Sequence, residues 1–137
     1  MARSPDDLGR LLELMPFAAR LGIVLDAAAP AEVRGRLAWA SELCTAGGVL
    51  HGGVLMAFAD SLAAVCAYLN LPEGATTTTT SSSTVFLRGV RDGEVAARAA
   101  PLHAGRTRIV VQTALADAAG RPVAQVTQSQ AVLGAPA

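Results

Sequence analysis

Polar and apolar residues alternate over residues 32–39, where Val33, Leu37 and Trp39 take odd positions and charged side chains take most even ones. A period of two predicts a strand with one face against a core. Other segments bounded by turn residues predict five further strands, at residues 23–26, 76–87, 94–102, 108–115 and 122–133. The connections among the last four are short, so we expect antiparallel neighbours.

The longest apolar segment, residues 47–67, predicts one long helix that ends near Pro72. Residues 46–71 could span a bilayer by length, but His51 and Asp60 would be costly in lipid, so no membrane partner is expected. A helix that is apolar on every side and outside a membrane must be enclosed by protein. The predicted fold class is therefore α+β, with an antiparallel sheet wrapped around one central helix.

The N-terminal segment, residues 1–21, is predicted to be helical and amphipathic. Ser4 offers a capping hydroxyl and Pro5 suits the first helical position. Pro16 should interrupt the helix, which ends near Gly22. Since neither a linker nor an internal repeat divides the chain, all 137 residues are assigned to a single domain.

Residues 76–84 are all threonine or serine, and we interpret them as a strand rather than a flexible tether. Threonine favours strands, no proline interrupts the segment, and it continues into Val85-Phe86-Leu87. One face would lie beside the helix with threonine methyl groups inward. The other face would offer hydroxyls to a ligand or a partner subunit.

Composition narrows the class of partner. The chain is 52% hydrophobic, and its 11 basic and 11 acidic residues cancel, so neither nucleic acid nor an anionic membrane is expected to bind. The two cysteines, Cys44 and Cys66, lie far apart, and the chain has no signal-peptide pattern. Reduced thiols in a cytoplasmic protein are therefore expected.

The segment Leu50-His51-Gly52-Gly53 opens the predicted central helix, and Asp60 follows Gly53 after six intervening residues. This motif and the order of elements over residues 17–133 resemble the hotdog-fold acyl-CoA thioesterases, in particular the PaaI-like enzymes of phenylacetate degradation. The resemblance implies a hotdog fold and hydrolysis of an acyl-CoA or acyl-carrier thioester without a cofactor. It also implies a homodimer or homotetramer with active sites at the dimer interface.

Gly52 and Asp60 are the main catalytic candidates. The amide of Gly52 lies at a helix N-terminus, where it can hold a carbonyl oxygen as negative charge develops, whereas Gly53 is expected mainly to permit close packing or substrate approach. Asp60 is the sole acid in a long apolar segment, and a buried carboxylate is costly unless it is paired or functional. In the resembling enzymes this acid attacks the thioester or activates water, and the sequence leaves both routes open.

Three further residues are candidates for supporting roles. His51 is more easily explained as a hydrogen-bonding residue of the turn than as a catalyst, and no metal site is expected around it. Many resembling enzymes carry Asn or Gln about six residues before this histidine, where this chain has Thr45. Thr79 matches a hydroxyl residue that assists the acid in some of them.

Arg88, Arg91, Arg106 and Arg108 are predicted to cluster at strand ends and a turn, where they could bind the phosphates of coenzyme A. The alternative is that they are solvated charges on the rim of the sheet.

Spacing along the helix predicts a site shared between subunits. Gly52 and Asp60 are eight residues apart, which is about 12 Å along a helix axis, so one thioester carbon cannot touch both. The acid must meet the glycine amide of another subunit, as two antiparallel helices related by a two-fold axis would allow.

The alternative function is that of a non-catalytic acyl-CoA or acyl-carrier binding protein, which Thr45 in the usual Asn position would suit.

Overall fold

The structure is a computed structural model that describes residues 3–134. Its helices are α1 (Pro5–Glu13), α2 (Pro16–Arg20) and α3 (Gly52–Leu69). Its strands are β1 (Val24–Ala29), β2 (Glu32–Ala38), β3 (Thr76–Phe86), β4 (Glu94–Ala104), β5 (Arg108–Ala116) and β6 (Pro122–Leu133). They form one antiparallel sheet of six strands in the order β1-β2-β4-β5-β6-β3. This confirms the predicted sheet around a central helix, although β1 begins and ends later than predicted.

Helix α3 is the core of the molecule. Phe58, Leu62 and Cys66 on this helix are fully buried, and they pack against inward residues of the sheet such as Val95 and Val111. By length and composition α3 could cross a membrane. Its burial against the sheet explains the same apolar composition, as predicted.

The N-terminal segment contains two short helices rather than one. Ser4 and Asp7 form a capping box at the start of α1, and Pro16 occupies the first turn of α2. The break at Pro16 is therefore where the sequence predicted it.

Strand β3 contains the Thr/Ser residues and forms one edge of the sheet. It pairs with β6 and is mostly exposed, with only Thr77 and Thr84 half-buried. The prediction of a strand is confirmed, and one face lies beside α3, where Thr79 donates to Asp60, but most threonine side chains of this face are not packed inward. An edge position leaves one row of backbone groups unpaired, so most hydroxyls remain accessible in the protomer.

Candidate active site

The N-terminus of α3 is capped by His51. Its Nδ1 accepts a hydrogen bond of 2.8 Å from the amide of Gly53, and its own backbone amide donates to Leu43. A Cβ atom on Gly53 would lie 2.9 Å from that ring nitrogen. The imidazole and the glycine therefore fit each other, which gives both residues a packing reason for their identity.

Gly52 begins the helix, so its amide lacks an intrahelical acceptor. A Cβ atom at this position would lie 3.1 Å from Cζ of Phe86, whose ring covers the glycine from the end of β3. Glycine is thus the residue that lets the aromatic ring approach this helix end closely.

Asp60 lies in the middle of α3 on the side that faces β3. Its Oδ1 accepts a hydrogen bond of 3.0 Å from Thr79 Oγ1 and another of 3.0 Å from Gln128 Nε2. Within residues 3–134, Oδ2 accepts no hydrogen bond from the protein. One carboxylate oxygen is therefore held in place and the other is free for a ligand.

The carboxylate is exposed in the protomer, so the expectation that Asp60 is buried is wrong. The sheet ends at β3 on this side, and no further layer covers the side chain. In the described part of the chain, neither an arginine nor a backbone amide donates to the Asp60 carboxylate. A purely structural role, which would require such a partner, is therefore not supported.

Two glutamines behind Asp60 were missed by the sequence reasoning. Gln128 and Gln130 are each 1% exposed, and Gln130 Nε2 donates to Thr79 Oγ1 at 2.8 Å. They follow Val126 at intervals of two residues on the inward face of β6. Two amides at i and i+2 on the apolar face of a strand are a detectable signal, since such a face otherwise holds apolar side chains.

Gly52 and Asp60 do not come together within one protomer. Gly52 lies against Phe86 and Asp60 against Thr79, and these contacts are seven residues apart on β3. That separation is roughly 23 Å along a strand. The amide therefore lies at the N-terminus of α3 and the carboxylate in the middle of the helix, too far apart to contact one thioester carbon.

A family model identifies the protein family to which this chain belongs. Residues 47–124, which contain Gly52, Asp60 and all of β3, match the model of the thioesterase superfamily. The chain belongs to this superfamily. As a member of it, the protein is a thioester hydrolase.

Similar proteins agree with this assignment. An esterase-named protein of Mycobacterium tuberculosis is 32% identical over 128 residues, covering 91% of each chain. The proofreading thioesterase EntH of Cronobacter sakazakii is 33% identical over 87 residues, covering 64% of each chain. A solved mutant thioesterase from Pseudomonas aeruginosa is 28% identical with a TM-score of 0.87 and covers 96% of both chains. These relatives confirm the hotdog thioesterase resemblance.

In this thioesterase Thr45 lies in the loop before α3. Its side chain is exposed, and its backbone amide donates to Val49 at 2.8 Å. No hydrogen bond in the described residues joins its hydroxyl to Gly52 or Asp60. The protomer alone therefore does not bring Thr45 into the group of residues around the carboxylate.

The four arginines do not form one cluster in the protomer, so that prediction is wrong. Arg88 follows β3 beyond Phe86, whereas Arg106 and Arg108 lie at the turn between β4 and β5. Arg108 pairs with Ala131, which is itself the partner of Thr78. The sheet therefore puts Arg106 and Arg108 at the Asp60 end.

Arg88 lies at the other end of the sheet, near Gly52. Arg91 is at this end too, where its side chain donates to the Gly47 carbonyl.

Among the described residues, no three His, Cys, Asp or Glu side chains lie close enough to share a metal ion.

Proposed function

We propose that this thioesterase hydrolyses an acyl thioester of coenzyme A or of an acyl carrier, with Asp60 as nucleophile or general base. The observation that carries the proposal is the free Oδ2 of Asp60 beside a second oxygen fixed by Thr79 and Gln128. As nucleophile, the carboxylate would expel the thiol and form an anhydride that water then opens. As base, it would take a proton from the attacking water. Either route yields one acid and one thiol.

The amide of Gly52 would polarise the thioester carbonyl. Because Gly52 and Asp60 of one protomer lie too far apart, the amide at each site has to come from the partner subunit. Strand β3 is an exposed edge, and two such edges can pair antiparallel about a two-fold axis. Such pairing, centred between Ser82 and Ser83, would bring Phe86 of one subunit beside the partner subunit's Thr79. The Gly52 amide would then face the partner subunit's Asp60, giving two equivalent sites per homodimer. Pairing of two dimers into a homotetramer is compatible with this arrangement.

A thioester panel tests the proposed activity. The purified protein would be given phenylacetyl-CoA, benzoyl-CoA, acetyl-CoA, hexanoyl-CoA and one acyl-carrier thioester, with release of free thiol as the readout. We expect turnover of at least one member well above the uncatalysed rate. Binding of these esters without thiol release would instead support the non-catalytic alternative.

The two-fold arrangement also gives the arginines a joint role. The partner subunit's Arg106 and Arg108 would lie at the same end of the dimer as Arg88, where together they can hold the phosphates of coenzyme A. Charge-assisted hydrogen bonds of this kind contribute about 1.5–3 kcal/mol each, so Arg106→Glu or Arg108→Glu should raise KM for a CoA ester by about tenfold or more.

A truncated pantetheine thioester lacks these phosphates, so its kinetics should hardly change in either variant. Arg20→Glu, an exposed charge reversal at the end of α2, is the matched control. An equal loss of activity toward both substrates would assign these arginines to the fold instead of the CoA site.

The cysteines support a cytoplasmic location, which is part of the proposal together with a single-domain organisation. Both thiols are free, and burial raises the pKa of Cys66 to about 11. At neutral pH Cys66 should stay a thiol and resist alkylation by iodoacetamide, whereas the half-buried Cys44 reacts first. Mass spectrometry of timed samples checks this order, and equal labelling of both cysteines in the folded protein would contradict it.

A further inference from the structure

Behind the carboxylate lies a chain of hydrogen bonds, exposed at Thr79 and part-buried beyond it, that continues through two strands. Gln128 Nε2 donates to Asp60 Oδ1, and Gln130 Nε2 donates to the Thr79 hydroxyl, which lies 3.0 Å from the same Oδ1. Thr77 Oγ1 lies 3.1 Å from Gln130 Oε1. Thr79 and Gln128 thus donate to one carboxylate oxygen, and Gln130 and Thr77 continue the chain behind Thr79.

The direction of each hydrogen bond follows from the charge of Asp60 in either proposed route. An ionised carboxylate only accepts, so the Thr79 hydroxyl must donate its single proton to Oδ1. The Thr79 oxygen can then only accept from Gln130, which requires Nε2 rather than Oε1 to face it. The Thr77 hydroxyl lies within hydrogen-bond distance of both Oε1 and the Ala131 carbonyl, so its single proton does not by itself set the orientation of the amide. Gln130 therefore donates to the Thr79 oxygen, which leaves the Thr79 proton for Asp60 Oδ1.

We propose that Gln128 and Gln130 are positioning residues of the active site: Gln128 holds Asp60 directly, and Gln130 acts through Thr79. This inference rests on the proposed role of Asp60. The two donors occupy Oδ1 and fix the side-chain rotation, so Oδ2 is the oxygen presented to the thioester carbonyl or to the attacking water. A carboxylate free to rotate would spend less time in the reactive geometry, which lowers kcat rather than substrate binding.

Gln128 is also a costly residue for the fold. Its Oε1 is buried and has no hydrogen-bond partner among residues 3–134. A buried carbonyl left without a partner destabilises a protein, so an apolar side chain of similar volume should be tolerated here or even stabilise the fold. A glutamine kept only for packing would not show this combination of structural cost and contact with the carboxylate.

The test compares Gln128→Met, Gln130→Met and Thr79→Val, using the thioester from the panel that the wild type hydrolyses fastest. Each single variant should lower kcat about tenfold or more with little change in KM, while thermal stability stays near or above that of the wild type. Thr79→Ser retains the donor and should keep most of the activity. Gln125→Met, on the outward face of the same strand, is the matched control and should leave kcat unchanged.

A double-mutant cycle separates the two glutamines. Since Gln130 acts through Thr79, Gln130→Met should have no further effect on kcat in the Thr79→Val background. Gln128→Met should still lower kcat in that background, because its own bond to Asp60 persists. Unchanged kcat in Gln128→Met, or independent effects of Gln130→Met and Thr79→Val, would overturn the proposal.

The hydrogen bonds can also be measured without turnover, which separates failure of the network from failure of the proposed activity. In side-chain amide NMR spectra of the wild type, the Gln128 and Gln130 amide protons should exchange with solvent far more slowly than those of Gln125. Thr79→Val should shift the Gln130 resonances, and Asp60→Ala those of Gln128. Exchange as fast as that of Gln125 would refute the network even in an active enzyme. Protected amides in an inactive protein would count against the proposed activity alone.

Discussion

The variant Asp60→Asn should lower kcat at least a hundredfold and leave the fold intact. An asparagine side chain keeps the oxygen that accepts from Thr79 and Gln128, so the hydrogen bonds behind the site can persist. The exposed second oxygen becomes an amide nitrogen, which can neither attack a thioester nor take a proton from water. A positioned acid or base contributes about 10²–10⁴-fold to the rate, which sets the expected loss.

Thiol release measures this loss, and circular dichroism checks the fold. Asp6→Asn removes the same charge from the exposed start of α1 and should leave kcat unchanged. If Asp60→Asn kept most of the wild-type turnover, the assignment of Asp60 would be wrong.

The second large effect is expected for Gly52→Val. The new side chain would meet the ring of Phe86 and block the approach of a carbonyl oxygen to the amide. Loss of one donor to a developing oxyanion costs roughly 10²–10³-fold in kcat, and we expect a loss in that range. Gly9→Val in α1, where a Cβ atom meets nothing within 4 Å, is the matched control.

A second variant separates blocked catalysis from poor packing at Gly52. Phe86→Ala removes the ring that the valine would meet, so Gly52→Val/Phe86→Ala restores space at the helix start. If the valine blocks the amide, the double variant stays far less active than Phe86→Ala alone. Recovery to the level of Phe86→Ala would mean that Gly52 serves packing only.

The sequence was sufficient for the fold because each element carries its own local signal. The apolar length of α3, the alternation in β2 and the β-branched residues of β3 each predict one element without knowledge of its neighbours. The His51-Gly52-Gly53 motif and Asp60 could likewise be selected from spacing within a single helix. These predictions use periodicity and propensity, which operate over a few residues.

The contacts around Asp60 depend on strand register, which local patterns do not determine. Thr79 pairs with Gln130, but a bulge follows at Thr80, and the pairing then resumes with Ser81 opposite Ser129. A slip of one residue would turn Thr79 away from the carboxylate. The same lack of register information explains why Arg88 and Arg108 were expected together, although the sheet holds them at opposite ends.

Mixed dimers of Asp60→Ala and Gly52→Val test whether each active site is built from two subunits. Each variant alone should be nearly inactive, because every site in it lacks one of the two groups. A mixed dimer has one site with an intact Gly52 amide and an intact Asp60, so a random mixture should recover about a quarter of wild-type activity. Co-expression with two different affinity tags isolates the mixed dimers for assay. Recovery of activity in these dimers is the predicted result; verified mixed dimers without activity, or an active wild-type monomer, would contradict the shared site.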